Sequence, residues 1–228
     1  MVLLRPFLAG LVAVLAVVAA QPAAASPGRA PCWSGYSYVG VQSATPAFGV
    51  SAVLSVTAVP AVGSGHVAAW IGVGGAGLGP GGSDEWLQAG IVYESNGGAH
   101  LYYELKRPGD AHATYVQLGV VVPGEPHSLA LFERSGLRDS WSVTIDGVRT
   151  GAPVVLPGSH GTFAPIATTE SWDGGVAGNC NRYGFDFSRL ALESGYGSGW
   201  RAFDLARVLH DPGYRLALRP SGFTAASR

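Results

Sequence analysis

The sequence predicts an all-β protein, a two-sheet antiparallel β-sandwich of the jelly-roll type. Glycine and proline are abundant, at 34 and 15 residues, whereas only 13% of the residues are charged. Segments that alternate apolar and polar residues recur every 10–15 residues or so, separated by Gly- and Pro-rich turns. Helical periodicity is weak throughout. These features favour many short strands in two packed layers.

Nine segments between residues 50 and 192 are assigned to strands, because their residues alternate or are β-branched and apolar. The predicted strands are 50–56, 68–73, 85–92, 100–105, 114–122, 128–133, 141–145, 148–150 and 183–192. Asp146-Gly147 is typical of a type I′ hairpin turn. Residues 200–209 are the one candidate for a short helix, and residues 219–228 are expected to be a loose end.

The N-terminus predicts export. Arg5 is followed by an apolar run, Phe7 to Ala20, and then by the small residues Ala23-Ala24-Ala25. This is the pattern of a secretory signal peptide, and the run is too short for a comfortable membrane span. We therefore expect residues 1–25 to be removed and residues 26–228 to form a single secreted β-sandwich domain, with no membrane attachment afterwards.

Cys32 and Cys180 are the only cysteines. In an exported chain a lone pair of cysteines favours a disulfide, which would tie the mature N-terminus to a late loop. Two free thiols are the alternative. A bridge requires the two Cα atoms to lie within about 7 Å of each other.

Charge and motif content exclude several classes of function. The formal net charge is −1, which gives no basis for binding nucleic acid or an anionic membrane. The six histidines show no HxH or HExxH spacing, so neither a metal site nor a metal cofactor is expected. Residues 72–77 match a dinucleotide fingerprint, but a Gly-rich loop follows instead of a helix, so a loop is the better interpretation.

Three predicted strands carry an unusual face. Because strand side chains alternate, residues 68–73, 85–92 and 100–105 place their aliphatic residues on one side, as a core. The opposite side collects large aromatic and polar residues: Trp70, Trp86, Gln88, Tyr102 and Glu104. Such a surface is too aromatic for an ordinary solvated face and too polar for a core, as substrate-binding surfaces are.

Amide and carboxylate groups carry the candidate chemistry. Gln88 and Glu104 lie in the middle of strands, and Glu170 follows two threonines and precedes Ser171-Trp172. A single residue of this kind is more often a hydrogen-bonded or exposed sheet residue. Their joint placement near one aromatic face favours a functional site.

The chain resembles the eqolisin-type glutamic peptidases, which are secreted β-sandwich proteases with a Gln/Glu dyad. The resemblance covers roughly residues 33–190, and the order and spacing of its motifs carry it. The matching segments are Trp33-Ser34-Gly35-Tyr36, Ala69-Trp70-Ile71-Gly72-Val73, Trp86-Leu87-Gln88-Ala89-Gly90 and Tyr103-Glu104. The chain departs from the family at Leu105-Lys106, where an aromatic pair is usual, and at Gly74-Gly75, where an aspartate is usual.

This resemblance implies a catalytic role for Gln88 and Glu170. Glu170 would take a proton from the attacking water, and Gln88 would donate a hydrogen bond to the oxyanion. Trp70, Trp86 and Tyr102 would hold the peptide, and Glu104 would orient Gln88 or the water. The resemblance implies an endopeptidase that acts at acidic pH on peptides or unfolded proteins, as a monomer without metal or organic cofactor.

Two other functions fit the same face. A non-catalytic carbohydrate- or peptide-binding protein is one, because concanavalin-like sandwiches include lectins as well as enzymes. A glycoside hydrolase that uses Glu104 and Glu170 is the other, for which the two carboxyl groups should lie roughly 5–9 Å apart with Gln88 turned away.

Overall fold

The computed structural model describes residues 32, 35–175 and 179–228. The predicted signal peptide and Trp33-Ser34 of the first motif lie outside them. The described residues form the following strands: β1 (Tyr36–Ser43), β2 (Gly49–Val62), β3 (His66–Gly75), β4 (Glu85–Glu94), β5 (Ala99–Lys106), β6 (Thr114–Val120), β7 (His127–Glu133), β8 (Ser140–Ile145), β9 (Val148–Arg149), β10 (Val154–Val155), β11 (Ile166–Trp172), β12 (Asn181–Glu193), β13 (Trp200–Ala202), β14 (Leu205–His210), β15 (Tyr214–Arg219) and β16 (Gly222–Ser227). No helix in these ranges is long and apolar enough to cross a membrane.

The strands form two antiparallel sheets. One has seven strands in the order β14-β1-β11-β3-β4-β5-β6. The other has nine, with β10-β8-β7-β2-β12-β16-β15 as its main path, β9 paired with β8 and β13 paired with β12. The predicted all-β, two-sheet jelly-roll sandwich is therefore confirmed.

The core lies between the sheets and uses the aliphatic face predicted from the alternation. Ala69, Ile71, Leu87, Ala89 and Ile91 are all fully buried there. The facing sheet contributes larger side chains: Trp141, Phe185, Phe187 and Phe223. Because the seven-stranded sheet buries one face in this way, its other face is left to form a surface.

The hairpin predicted at Asp146-Gly147 is present. Asp146 and Gly147 have φ angles of 52° and 76°, and Ile145 pairs with Val148 across the turn. Positive φ at both central residues is what a type I′ turn requires.

Both sequence-based expectations for the C-terminal region are wrong. Residues 200–209 form no helix: Trp200–Ala202 pairs with β12, and Leu205–His210 pairs with β1 at the edge of the seven-stranded sheet. Residues 219–228 are not loose, because Gly222–Ser227 pairs with β12 and buries Phe223 and Ala225 completely. In both places, pairing with a strand that is distant in sequence outweighs weak local propensity.

The predicted disulfide is confirmed. Cys32 and Cys180 are bonded, with their Cα atoms 5.5 Å apart and a sequence separation of 148 residues. Cys180 immediately precedes β12. The bond therefore attaches the segment before β1 to the start of β12, the strand that pairs with most of β2.

Glu85 is a buried carboxyl group that has no hydrogen-bond partner. It begins β4, its side chain is 0% exposed, and neither of its oxygens bonds to a described residue. Gly79 covers it so closely that a Cβ at that position would lie 2.7 Å from the Glu85 Cβ. Burial, together with the nearby charge of Asp139, raises the pKa of Glu85 to about 7. Glu85 therefore destabilises the folded state at any pH at which its carboxyl group is ionised.

The raised pKa of Glu85 predicts that the protein loses stability as the pH rises. Between the usual glutamate pKa of about 4.3 and about 7, the folded state holds a proton that the unfolded state has released. The free energy of unfolding should therefore fall over this range, by on the order of 2–3 kcal/mol. Glu85→Gln should remove this fall, which denaturant titrations at pH 5 and pH 8 would measure. An exposed control, Glu125→Gln, should leave it unchanged, and an equal fall in Glu85→Gln would contradict the prediction.

Candidate active site

A cleft lies on the outer face of the seven-stranded sheet. Its cavity has a volume of about 540 Å³. All six residues that the sequence predicts for the site line it: Trp70, Trp86, Gln88, Tyr102, Glu104 and Glu170. Trp70, Gln88 and Glu104 lie on the adjacent strands β3, β4 and β5, so the prediction that they share one face of one sheet is confirmed.

Strand register sets which of these side chains are neighbours. Gln88 lies directly opposite Glu104 on β5 and opposite Gly72 on β3. The next residue in this row, opposite Gly72 on β11, is Ile166. A Cβ at Gly72 would come within 3.1 Å of the Gln88 Cβ, so the glycine makes room beside the amide. Gln88 therefore has a carboxylate beside it on one side only.

Gln88 and Glu104 are each oriented by an aromatic side chain. The Gln88 amide Nε2 donates to the Tyr102 hydroxyl at 3.3 Å. The Trp86 indole Nε1 donates to Oε1 of Glu104 at 2.9 Å, and Oε2 makes no hydrogen bond to any residue in the described ranges. Cross-strand partners on one face have Cβ atoms about 5 Å apart. The amide and the carboxylate can therefore reach the same small molecule.

The surroundings of Glu104 shift its titration. Burial raises the pKa of Glu104 above its usual value, the Trp86 hydrogen bond opposes that shift, and the charge of Glu170 adds to it. Burial likewise raises the pKa of Tyr102 well above its ordinary value. Tyr102 therefore remains a neutral phenol beside Gln88, while Glu104 stays protonated to a higher pH than an ordinary glutamate.

Glu170 occupies a different part of the cleft from Gln88. It lies opposite Tyr38 on β1 and Ala68 on β3, four residues from Ile166 along β11. At the rise of a strand, four residues correspond to roughly 13 Å. The structure thus brings Gln88 and Glu104 together and places Glu170 further along the cleft.

Glu170 has its own partners. Its Oε1 lies 2.8 Å from Nε2 of His66, which begins β3. Tyr38 also bonds to the Glu170 side chain, and its pKa is raised by burial first and by the charge of Glu170 second. Glu170 is thus a buried carboxylate held by a histidine and a phenol.

Six polar or aromatic site residues were missed in the sequence. Tyr36, Tyr38, His66 and Trp172 surround Glu170 or lie at the rim beside it, and Glu94 and Tyr115 also line the cleft. A signal was available: His66 and Trp70 differ by four positions, and Glu170 and Trp172 differ by two, so each pair shares a strand face. His66 lies at the start of β3 and lines the cleft.

Within the described ranges, no group of three or more His, Cys, Asp or Glu side chains is arranged to hold a metal ion.

The fold is shared with known peptidases. Scytalido-glutamic peptidase, solved with a peptide-based transition-state analogue, is 14% identical with a TM-score of 0.59, over 84% of this chain and 98% of that one. SCP-B, a member of the eqolisin family solved with the tripeptide Ala-Ile-His, is 14% identical with a TM-score of 0.56, over 86% and 98%. No protein-family model and no curated protein matches the sequence. At 14% identity, structural similarity shows that the fold is shared: the chain has the same β-sandwich as these peptidases.

Proposed function

We propose that the protein is a secreted glutamic endopeptidase that cleaves peptides or unfolded proteins at acidic pH in the cleft of the seven-stranded sheet. The main observation in support is the cross-strand pair of Gln88 and Glu104, an amide and a carboxylate side by side on an aromatic surface. The shared fold and the sequence resemblance to eqolisin peptidases support it. The Cys32–Cys180 bond is in keeping with an exported protein.

The register favours Glu104 over Glu170 as the group that activates water. Glu104 keeps one carboxylate oxygen unbonded to its described neighbours and lies beside Gln88, whereas Glu170 is bonded to His66 and Tyr38 and lies further along the cleft. This differs from the assignment that the sequence resemblance implies, in which Glu170 is the base.

The proposed reaction needs no group beyond these side chains. Ionised Glu104 takes a proton from a bound water, whose oxygen attacks the scissile carbonyl carbon. The Gln88 amide donates a hydrogen bond to the oxyanion that forms, a contribution of about 3 kcal/mol. Glu104 then returns the proton to the departing amine as the C–N bond breaks. Trp70, Trp86 and Tyr102 form the walls that hold the peptide.

The test is hydrolysis of an unstructured protein between pH 3 and pH 8. Because the pKa of Glu104 is raised and the base must be ionised, activity should be lost on acidification with a midpoint above 4.5. Gln88→Ala should lower turnover by about 10²–10³-fold through loss of the oxyanion donor. Absence of cleavage by the wild-type protein at every pH would overturn the enzyme proposal.

One observation favours a non-catalytic binding protein as the second candidate. Ile166 lies across Gly72 from Gln88, so the row of the amide has no carboxylate on that side. A protein that only held a peptide or a sugar on its aromatic walls would tolerate this residue. Binding without cleavage in the same experiment would support the second candidate. Gln88 lines the cleft, which disfavours the glycosidase alternative.

A further inference from the structure

The Glu170 end of the cleft differs in charge from an ordinary peptide groove. The residues that line the cavity include three carboxylates, Glu94, Glu104 and Glu170, and neither lysine nor arginine. Lys106 is near, but its ammonium lies over the Trp86 ring and 3.5 Å from Asp84. His66 is the one basic lining residue in the part of the chain described.

The same end carries exposed aromatic faces. Tyr36 is 55% exposed and Trp172 is 40% exposed. Tyr36 stacks on Tyr38 with the ring centroids 6.1 Å apart and on Trp172 at 6.4 Å. Burial raises the pKa of Tyr36, and the charges of Glu170, Glu104 and Asp173 raise it further, which places this ring in a negative field. Aromatic faces beside carboxylates attract cations.

A buried polar atom of the cleft also requires a partner. The indole Nε1 of Trp70 is buried and makes no hydrogen bond to the described residues, although Trp70 lines the cavity. A Cβ at Gly72 would lie 3.1 Å from Cζ3 of the same indole, so Nε1 is on the far side of the ring from Gly72. An indole N–H can only donate, so the partner it lacks is an acceptor such as a peptide carbonyl.

We infer that the Glu170 end of the cleft is a subsite for a lysine or arginine side chain of the bound peptide. The cationic group approaches the Glu170 carboxylate across the faces of Tyr36 and Trp172, and a carbonyl of the same peptide accepts from Trp70. His66 and Tyr38 hold the carboxylate in place as positioning residues. This inference rests on the proposed function because it requires that the cleft bind a peptide. It predicts that peptides carrying a lysine or arginine at this subsite are the preferred substrates.

The experiment compares two blocked peptides that differ at one residue. One carries lysine and the other norleucine, which has the same chain length without the ammonium group. Binding is measured by calorimetry at pH 6, and cleavage of both peptides is followed in parallel. The wild-type protein should bind the lysine peptide about tenfold more tightly. In Glu170→Gln the two dissociation constants should agree within about twofold.

Two further variants separate recognition from folding. Glu125→Gln removes a carboxylate on an exposed turn outside the cleft, and should keep the full preference. Tyr36→Leu replaces an exposed ring, and should reduce the preference about threefold. If Glu170→Gln does not fold, Tyr36→Leu and its control decide the question.

Equal affinity of the wild-type protein for the two peptides, or affinity for neither, would overturn the subsite. Cleavage of both peptides at equal rates would overturn the subsite and leave the proposed peptidase intact. A lysine preference that depends on Glu170, without cleavage, would support the subsite and refute the proposed chemistry.

Discussion

Glu104→Gln is expected to lower the rate of peptide hydrolysis by about 10²–10⁴-fold. Glutamine has nearly the same shape and can still accept the hydrogen bond from Trp86 through its carbonyl oxygen. It cannot take a proton from water, so only the base function is removed. The ratio kcat/KM for the norleucine peptide measures the loss, and the circular dichroism spectrum should remain that of the wild-type protein.

Comparing Glu170→Gln with Glu104→Gln tests which of the two carboxylates is the base. With a norleucine peptide the proposed cation subsite is not used, so Glu170→Gln should retain most of the hydrolysis that Glu104→Gln loses. If instead Glu170→Gln is inactive and Glu104→Gln is active, the base has been assigned to the wrong carboxylate. Glu125→Gln provides the baseline for loss of a carboxylate outside the cleft.

Removal of the disulfide is expected to have the largest effect on stability. The bond closes a loop with a sequence separation of 148 residues, and in the chain-entropy model its loss costs about 5 kcal/mol. For a domain of this size such a change lowers the melting temperature by roughly 10–20 °C. Cys32→Ser, Cys180→Ser and the reduced wild-type protein should all show a similar decrease in thermal and denaturant unfolding.

The comparison of reduced and oxidised wild-type protein is the control, because it changes no residue. If both forms unfold at the same temperature, the bond does not constrain the unfolded chain as proposed. Free-thiol titration of each sample would confirm its redox state.

Much of the fold could be predicted because the alternation of apolar and polar residues is visible within each single strand. The predicted strand at 85–92 is observed as Glu85–Glu94, and the predicted strand at 128–133 as His127–Glu133. The turn at Asp146-Gly147 was also predictable, since a type I′ turn depends on two adjacent residues. The C-terminal strand Gly222–Ser227 was not, because its small and mixed residues acquire their pattern only when they pair with β12.

The sequence could predict which sheet face carries the candidate site, but not which of its side chains are neighbours. Parity along a strand shows which side chains share a face, and it placed Gln88, Glu104 and Glu170 correctly on the cleft side. The row in which each residue lies depends on register between strands that are distant in sequence. Ile166 and Glu170 have the same parity, so only the pairing of β11 with β3 shows that Ile166, and not Glu170, is in the row of Gln88.

The connectivity of the cleft divides it into two parts with different origins. Gln88 and Glu104 belong to a continuous meander, β3 to β5, whereas the proposed cation subsite combines β1, β3 and β11, the last some sixty residues further along the chain. The proposed reacting pair is thus encoded in one short segment, whereas the proposed subsite draws on several. Related proteins could diverge in substrate preference by substitutions on β1 and β11 while the meander stays the same. Chimeras that exchange the meander as a unit would transfer the proposed reacting pair together with His66 and Trp70, but without Tyr36, Tyr38, Glu170 and Trp172.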